Sequence, residues 1–180
     1  MALIGTRIYR RRRRALKKIQ PFVEYWHHYL SKSKENININ YLSGIITTEC
    51  VDDEKLIISS FLDKLLDQRE LEQFTSKCSI GPHRDDVEFL INDISIRKFG
   101  SSGQQRTMIL ALKMAEIDFL RNIISVNPIL ILDDVLAELD IERQNLLLNS
   151  VGKDSQCLIS ATHLDKFNKD YLKDSNVIHL

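Results

Sequence analysis

Ile129-Leu130-Ile131-Leu132-Asp133-Asp134 is the stretch whose reading sets the fold class. Asn127-Pro128 stands before it and ends the preceding helix, because proline disfavours helical backbone in the residue ahead of it. Four apolar residues in a row, too few for a helix, read as a strand buried on both faces. A helical pattern covers residues 141–151, and a second apolar run, Cys157-Leu158-Ile159, leads into Ala161-Thr162-His163. Strand, helix, strand with apolar strands predicts a buried parallel sheet in an α/β domain. A last strand is expected at Val177-Ile178-His179-Leu180.

Upstream the pattern alternates. Val87, Phe89 and Ile91 are spaced by polar residues, Asn92-Asp93 offers a turn, and Ile94 and Ile96 alternate again, which predicts a β-hairpin. A Gly/Ser segment then opens a helix expected over residues 102–124. Residues 52–74 read as one long helix, with Asp52, Asp53 and Glu54 in its first turn and Ile58, Leu62, Leu65 and Leu66 on its apolar face. Residues 45–48 read as a short strand, and the polar, Asn-rich residues 34–44 as a turn or loop. In residues 2–34, Ile4, Ile8, Leu16, Ile19, Val23, Trp26 and Leu30 recur near one face of a helix. Pro21 implies either a kink there or the first turn of a second helix. The expected organisation is a helical arm over residues 1–75 and an α/β lobe over residues 76–180.

The chain has 180 residues, 43% hydrophobic and 28% charged, with six glycines and three prolines, which excludes a disordered, collagenous or low-complexity chain. There is no apolar run of about 18 residues, so no membrane span is expected. Cys50, Cys78 and Cys157 lie far apart, which suits neither a disulfide framework nor a zinc site and favours a reducing, cytoplasmic setting. The net charge of zero hides a split. Residues 1–40 carry ten Lys/Arg against two acids, +8, and residues 41–180 carry fifteen against twenty-three, −8. An Arg-rich start resembles a transit peptide in composition, but the continuation through Phe22, Tyr25, Trp26 and Tyr29 reads as folded protein.

Arg10, Arg11, Arg12, Arg13 and Arg14 are consecutive, flanked by Arg7, Lys17 and Lys18. On a helix they cover most of the circumference and cannot all face a core. Their mutual repulsion is costly unless an anion is near, and DNA phosphate is the natural partner. The plainer alternative is a solvated face with arginine stems lying on their neighbours. The nearby aromatics could stack on bases, but their helical spacing suits a core better.

Three features downstream suit nucleotide chemistry. An apolar strand ending in Asp133-Asp134 places two carboxylates at the edge of a sheet where α/β proteins bind ligands. The first can hold Mg²⁺ and the second can orient or deprotonate a water, although two acids can also simply cap the next turn. Gly100-Ser101-Ser102-Gly103-Gln104-Gln105-Arg106 runs into a helix whose first N–H groups can face an anion, with Ser101 or Ser102 as cap, although such loops are often linkers. His163, beyond the second strand, can reach a phosphate oxygen or lie on the surface. His83, Arg84, Asp85 and Asp86 form a dense polar cluster, read as a salt-bridge network between arm and lobe rather than a nucleotide sensor.

Taken in order, these motifs resemble the second half of an ABC-type ATPase head. Ser101-Ser102-Gly103-Gln104 matches the signature loop, residues 129–134 the Walker B strand, Ala137-Glu138-Leu139-Asp140 the D-loop and His163 the switch histidine. Gly81-Pro82-His83-Arg84-Asp85-Asp86, Gly103-Gln104-Gln105-Arg106-Thr107 and Leu132-Asp133-Asp134-Val135-Leu136-Ala137-Glu138-Leu139-Asp140 together resemble the RecF family over nearly the whole chain, and the basic segment resembles the start of that family's arm. The resemblance implies a protein that binds ATP and DNA, dimerises on ATP and helps load recombinase at single-strand gaps with RecO and RecR. It implies that Ser101, Ser102, Gly103 and Gln104 cap ATP on another subunit, Asp133 serves Mg²⁺, Asp134 the water and His163 the γ-phosphate, while Asp140 couples the sites. Arg7, Arg10, Arg11, Arg12, Arg13, Arg14, Lys17 and Lys18 are the expected DNA contacts.

Some positions depart from the wider pattern. Asp134 stands where most ABC proteins carry Glu, Val135 replaces a common Pro, and Ser102 replaces a Gly. No G-x-x-x-x-G-K-[ST] occurs; Gly152-Lys153 is followed by Asp154, with Leu147 at the first glycine's place. Without that loop nothing cradles the phosphates. The chain is therefore expected to be a C-terminal portion or one half of a split ATPase, inactive by itself and a weak ATPase when completed. The rivals are another ABC or SMC-type head and a DNA-binding module with no enzymatic activity.

Overall fold

The structure is a computed structural model that describes residues 1–32, 35–45, 53–124, 127–133, 139–150, 156–161 and 175–178. The element order is α1 (Ala2–Ser31), β1 (Ile37–Leu42), α2 (Glu54–Asp67), α3 (Arg69–Thr75), β2 (Asp86–Ile91), β3 (Ile94–Ser95), α4 (Ile96–Phe99), α5 (Ser102–Ile124), β4 (Leu130–Asp133), α6 (Ile141–Ser150) and β5 (Cys157–Ser160). The chain is α/β, and it forms two compact units: Met1–Pro21 with Glu35–Arg106, and Phe22–Lys34 with Thr107–Leu180.

In the first unit β1, β2 and β3 form an antiparallel sheet in that order, with Ile37 opposite Ile91 and Leu42 opposite Asp86. The loop expected over residues 34–44 is thus mostly strand. Asparagine has a poor intrinsic strand preference, but Ile37, Asn38, Ile39, Asn40 and Tyr41 alternate with period two, and pairing with β2 outweighs propensity. The turn at Asn92-Asp93 has φ of 49° and 64°, the left-handed pair that a two-residue hairpin needs and that these residues tolerate. The second hairpin arm is shorter than expected. Ile94 pairs with Ile91, but Ile96 is buried as the first residue of α4, because Gly100 closes that single turn with an N–H bond to the Ile96 carbonyl at 2.9 Å.

The helix expected over residues 52–74 is divided at Gln68 into α2 and α3. Asp53 caps α2, its carboxylate accepting from Lys55 N at 2.8 Å. The buried stripe of α2 runs through Ile57 and Phe61, with Ile58 and Leu65 partly buried, while Leu62 and Leu66 are exposed. Ile45, expected to begin a strand, sits in a turn and completes a core of Ala2, Ile45 and Phe61. Residues 46–48 lie outside the described residues.

Pro21 neither ends α1 nor starts a second helix: Ala2–Ser31 is one element. Its buried hydrophobic residues are Ala2, Tyr9, Ile19, Val23, Trp26 and Leu30, whereas Ile4 and Ile8 are exposed. Ile4 lies round the helix from the stripe that Tyr9, Ile19 and Val23 define, whereas Ile8 shares the angle of the buried Trp26, so its exposure follows from what packs at that level and not from its angle. Gly5 lies on that stripe, where a methyl group would overlap the Phe61 ring. Gly5→Ala should therefore overpack this core and cost about 1–3 kcal/mol. Phe61→Ala should cost about 3–5 kcal/mol, and denaturant unfolding would read both.

In the second unit β4 and β5 pair in parallel, Leu130 opposite Cys157 and Asp133 opposite Ser160. Leu132 is buried, whereas Ile131 is 68% and Leu158 50% exposed, so among the described residues one face of the sheet is left uncovered, where the apolar strands implied cover on both. Trp26 donates its indole N–H to Asp118 at 2.8 Å, and Phe22 meets Phe119 edge-on at 6.3 Å, which places these aromatics in packing. Val177 and Ile178 carry no strand, and residues 179–180 lie outside the described residues.

Candidate functional site

The Ser/Gly/Gln turn is built by reciprocal capping. Ser101 precedes α5, and its hydroxyl accepts from Gln104 N at 3.2 Å while Gln104 Oε1 accepts from Ser101 N at 3.0 Å. The cap is Ser101 and not Ser102. The pairing consumes one acceptor on each side chain. It leaves the Ser101 O–H and the Gln104 NH₂ as donors beside the first helical N–H groups, a set that suits an anion. Gln105 Nε2 ties the turn to α4, donating to the Ile96 and Gly100 carbonyls at 3.3 and 3.2 Å. At Gly100 an added Cβ would lie 2.6 Å from the Ile96 carbonyl, so glycine is required there by close backbone approach. Gly103 is different: among the described residues an added Cβ would meet only Ser101 Oγ, at 4.0 Å. A glycine in a first helical turn costs about 1 kcal/mol relative to alanine, and nothing described in the chain requires it.

Asp133 ends β4, exposed, at the carboxyl edge of the parallel sheet. The Ser160 hydroxyl donates to its Oδ1 at 2.5 Å. Sequence reading missed Ser160. The available signal was length: β4 and β5 are both four residues long, and in parallel register their last residues fall side by side. A carboxylate beside a hydroxyl fits the oxygen-only preference of Mg²⁺. Among the described residues no group of three His, Cys, Asp or Glu side chains could hold a metal. Asp134 and His163 lie outside the described residues, as do Ala137 and Glu138.

Asp140 has a local task. Its Oδ1 accepts from Arg143 N at 2.9 Å, capping α6, and its Oδ2 meets the Arg143 guanidinium at 2.8 Å. The Arg143 amide first, then its guanidinium, holds the Asp140 carboxyl below the usual carboxylate range.

The basic helix sorts its cations. Arg10 pairs with Glu54, and Arg12 donates to the Pro82 carbonyl and lies 3.7 Å from Asp85. Arg7, Arg11, Arg14 and Lys18 follow the i, i+4, i+7, i+11 spacing of one helical face, opposite the buried stripe, and all four are exposed. Lys17 is exposed on the flank of that face. No carboxylate partner is found for these five among the described residues. Arg13 is part-buried and engaged, so the run expected to contact DNA as a whole is only partly available.

The His83-Arg84-Asp85-Asp86 cluster is a salt-bridge and turn network. Arg84 N bonds to the Gly81 carbonyl at 2.9 Å, and Gly81 has φ of 146°, which favours glycine. Asp85 is buried and accepts from the Tyr41 hydroxyl at 2.5 Å, and Tyr41 stacks on Tyr9 with centroids 5.3 Å apart. Burial first, then the bond to Asp85, pushes the Tyr41 hydroxyl up from 10.0 to about 12. Its neutral form therefore contributes stability below pH 10.0, and that contribution is lost as pH rises toward about 12. Tyr41→Phe should flatten the fall of thermal stability in that alkaline window, and a wild-type-like fall would remove Tyr41 as its cause.

No helix of the described residues is long and apolar enough to cross a membrane. No family model matches the chain. Among curated proteins it is similar to DNA replication and repair protein RecF of Picosynechococcus sp., 43% identical over 178 residues, 99% of this chain and 45% of that protein. It is likewise similar to RecF of Trichodesmium erythraeum, 42% identical over 186 residues, 99% of this chain and 47% of that protein. Among solved structures it is similar to the recombination mediator protein RecF-ATP in the RecFOR pathway, with a TM-score of 0.79 and 30% identity over 91% of this chain and 43% of that one. The chain spans about half the length of the curated relatives it matches.

Proposed function

Because this chain belongs to the RecF family, we propose that it supplies the DNA-contacting helix and the partner-facing nucleotide elements of an ATP-dependent DNA replication and repair protein. Residues 1–75 act as the arm and residues 76–180 as the lobe. The exposed stripe of Arg7, Arg11, Arg14 and Lys18, with Lys17 beside it, lies along the DNA backbone. Arg10 and Arg12 hold α1 in place. Ser101, Ser102, Gly103 and Gln104 donate to ATP held by another subunit, and the empty space at Gly103 lets the phosphates come close. Asp133, with Ser160 beside it, holds Mg²⁺; Asp134 orients water and His163 meets the terminal phosphate. Bound Mg²⁺ would neutralise charge on the phosphates. Asp140, besides capping α6, meets its counterpart across the dimer. The complete protein works in the cytoplasm with RecO and RecR at single-strand gaps.

The observation that carries the reading is the sorting of the cations on α1: Arg10 and Arg12 have a carboxylate within ion-pair distance, whereas Arg7, Arg11, Arg14 and Lys18 share the exposed face opposite the buried stripe and have none among the described residues. Fluorescence anisotropy of labelled DNA with this chain over a salt series tests it. Five phosphate contacts predict a log–log slope of about −4.5 on duplex. Absent or salt-independent binding would remove α1 from the DNA site. A second reading, a DNA-binding module without nucleotide turnover, is favoured by the lack of G-x-x-x-x-G-K-[ST] in all 180 residues.

A further inference from the structure

We propose that Tyr25 presents a stacking face for an unpaired nucleobase, so that this chain holds single-stranded DNA by a base as well as by its phosphates. The proposal deepens the reading of α1 as a DNA-contacting helix and rests on it. The three rings that build the face, Tyr25, Trp26 and Tyr29, lie within the unit formed by Phe22–Lys34 and Thr107–Leu180.

The structure sorts the aromatics of α1 as it sorts the arginines. Phe22 and Trp26 serve packing: Phe22 meets Phe119, and Trp26 is 6% exposed and donates its indole N–H to Asp118. Tyr25 is 59% exposed, and no other large hydrophobic side chain of residues 22–31 is exposed. Its ring is nevertheless held. It stacks on Tyr29 with centroids 6.2 Å and planes 14° apart, and it meets Trp26 edge-on at 5.4 Å and 81°. Trp26 in turn meets Tyr29 edge-on at 5.6 Å. All three contacts fall within the favourable range for ring pairs. Trp26, buried and fixed by its indole bond, thus sets the other two, and Tyr25 is ordered while still in solvent. A side chain ordered beforehand loses little freedom when something stacks on it.

Size and position point to the occupant. A stable protein partner covers about 800 Å² on each side, far more than one ring offers, whereas a nucleobase has a single π face and matches one ring. The position follows from spacing along the chain. Tyr25 and Tyr29 come 18 and 22 residues after Arg7, five and about six turns at 3.6 residues per turn. Arg11, Arg14 and Lys18 keep the same period, within an element that runs from Ala2 to Ser31. The period that supplies cations for phosphate therefore continues as rings for bases. Cations attract the backbone of any nucleic acid. A ring face is reached only by a base that has left its pair, so Tyr25 favours single-stranded DNA over duplex.

Fluorescence anisotropy of this chain with three labelled probes tests the proposal: an oligo-dT strand, an abasic strand of the same length and charge, and a continuous duplex. Wild type should bind oligo-dT about tenfold more tightly than the abasic strand, the effect of one base–aromatic stack. Tyr25→Ala should weaken oligo-dT binding about tenfold, hold duplex affinity within about twofold and keep the salt slope, since the ring carries no charge. Tyr25→Phe should bind as wild type does, because the face and not the hydroxyl makes the contact. Equal affinity of wild type for oligo-dT and the abasic strand overturns the proposal without any substitution. Tyr25→Ala with unchanged oligo-dT affinity also overturns it and assigns the ring to a protein contact. Equal weakening on oligo-dT and duplex does the same and makes the ring a support of the helix, and so does Tyr25→Phe as weak as Tyr25→Ala. Wild type that binds none of the probes overturns the reading of α1 itself, and the stacking face falls with it.

Discussion

Replacing Arg7, Arg11, Arg14 and Lys18 together by glutamine should lower duplex affinity by about three orders of magnitude near 0.1 M salt and shrink the log–log salt slope by about 3.6. Each phosphate contact contributes about 0.9 to that slope through counterion release, and four contacts are removed. The same change should leave folding nearly intact. All four side chains are exposed on the face opposite the buried stripe, and none has a carboxylate partner among the described residues. Arg10→Gln is the contrasting control. It removes a pair with Glu54 inside the unit, so its effect should fall on stability, by at most about 1 kcal/mol for so exposed a pair. A quadruple variant that keeps the wild-type salt slope would show that the DNA lies elsewhere.

The chain by itself should show no saturable ATP binding at micromolar nucleotide by calorimetry, with an affinity weaker than about 1 mM. The Ser101–Gln104 turn offers a hydroxyl, an amide and a few N–H groups. Each such hydrogen bond contributes about 0.5–1.5 kcal/mol net, and association costs at least about 4 kcal/mol. A phosphate-cradling loop with its lysine would supply the rest, and the sequence has none. Micromolar binding by the isolated chain would refute this and would mean that the phosphates are held by groups not assigned here.

Much of the fold could be read locally. The helix expected over residues 102–124 is α5 to the residue, since its apolar period, its capping serine and Pro128 beyond it all agree. The parallel pairing of the two apolar runs also followed from pattern. What misled the reading was long-range. Asn38 and Asn40 signal turns locally and become strand because β2 lies beside them. Ile4 and Ile8 share a helical period with the true core residues yet are exposed. Ser101 and Gln104 stand out in sequence as part of one Ser/Gly/Gln turn, but their mutual cap needed coordinates, and Ser160 was invisible until β5 lay against β4.

The sequence alone determined the family, the order of its chemical motifs and the lack of a phosphate-binding loop, because these are matters of residue identity and spacing along one chain. Tertiary structure decided which arginines of one uniform run are spent on Glu54 and Pro82 and which face outward. It also set which hydroxyl stands beside Asp133. Five identical side chains in a row carry no local signal of their partners; only the angle each takes round the helix, and what the rest of the chain brings to that angle, separates a structural cation from one available to phosphate.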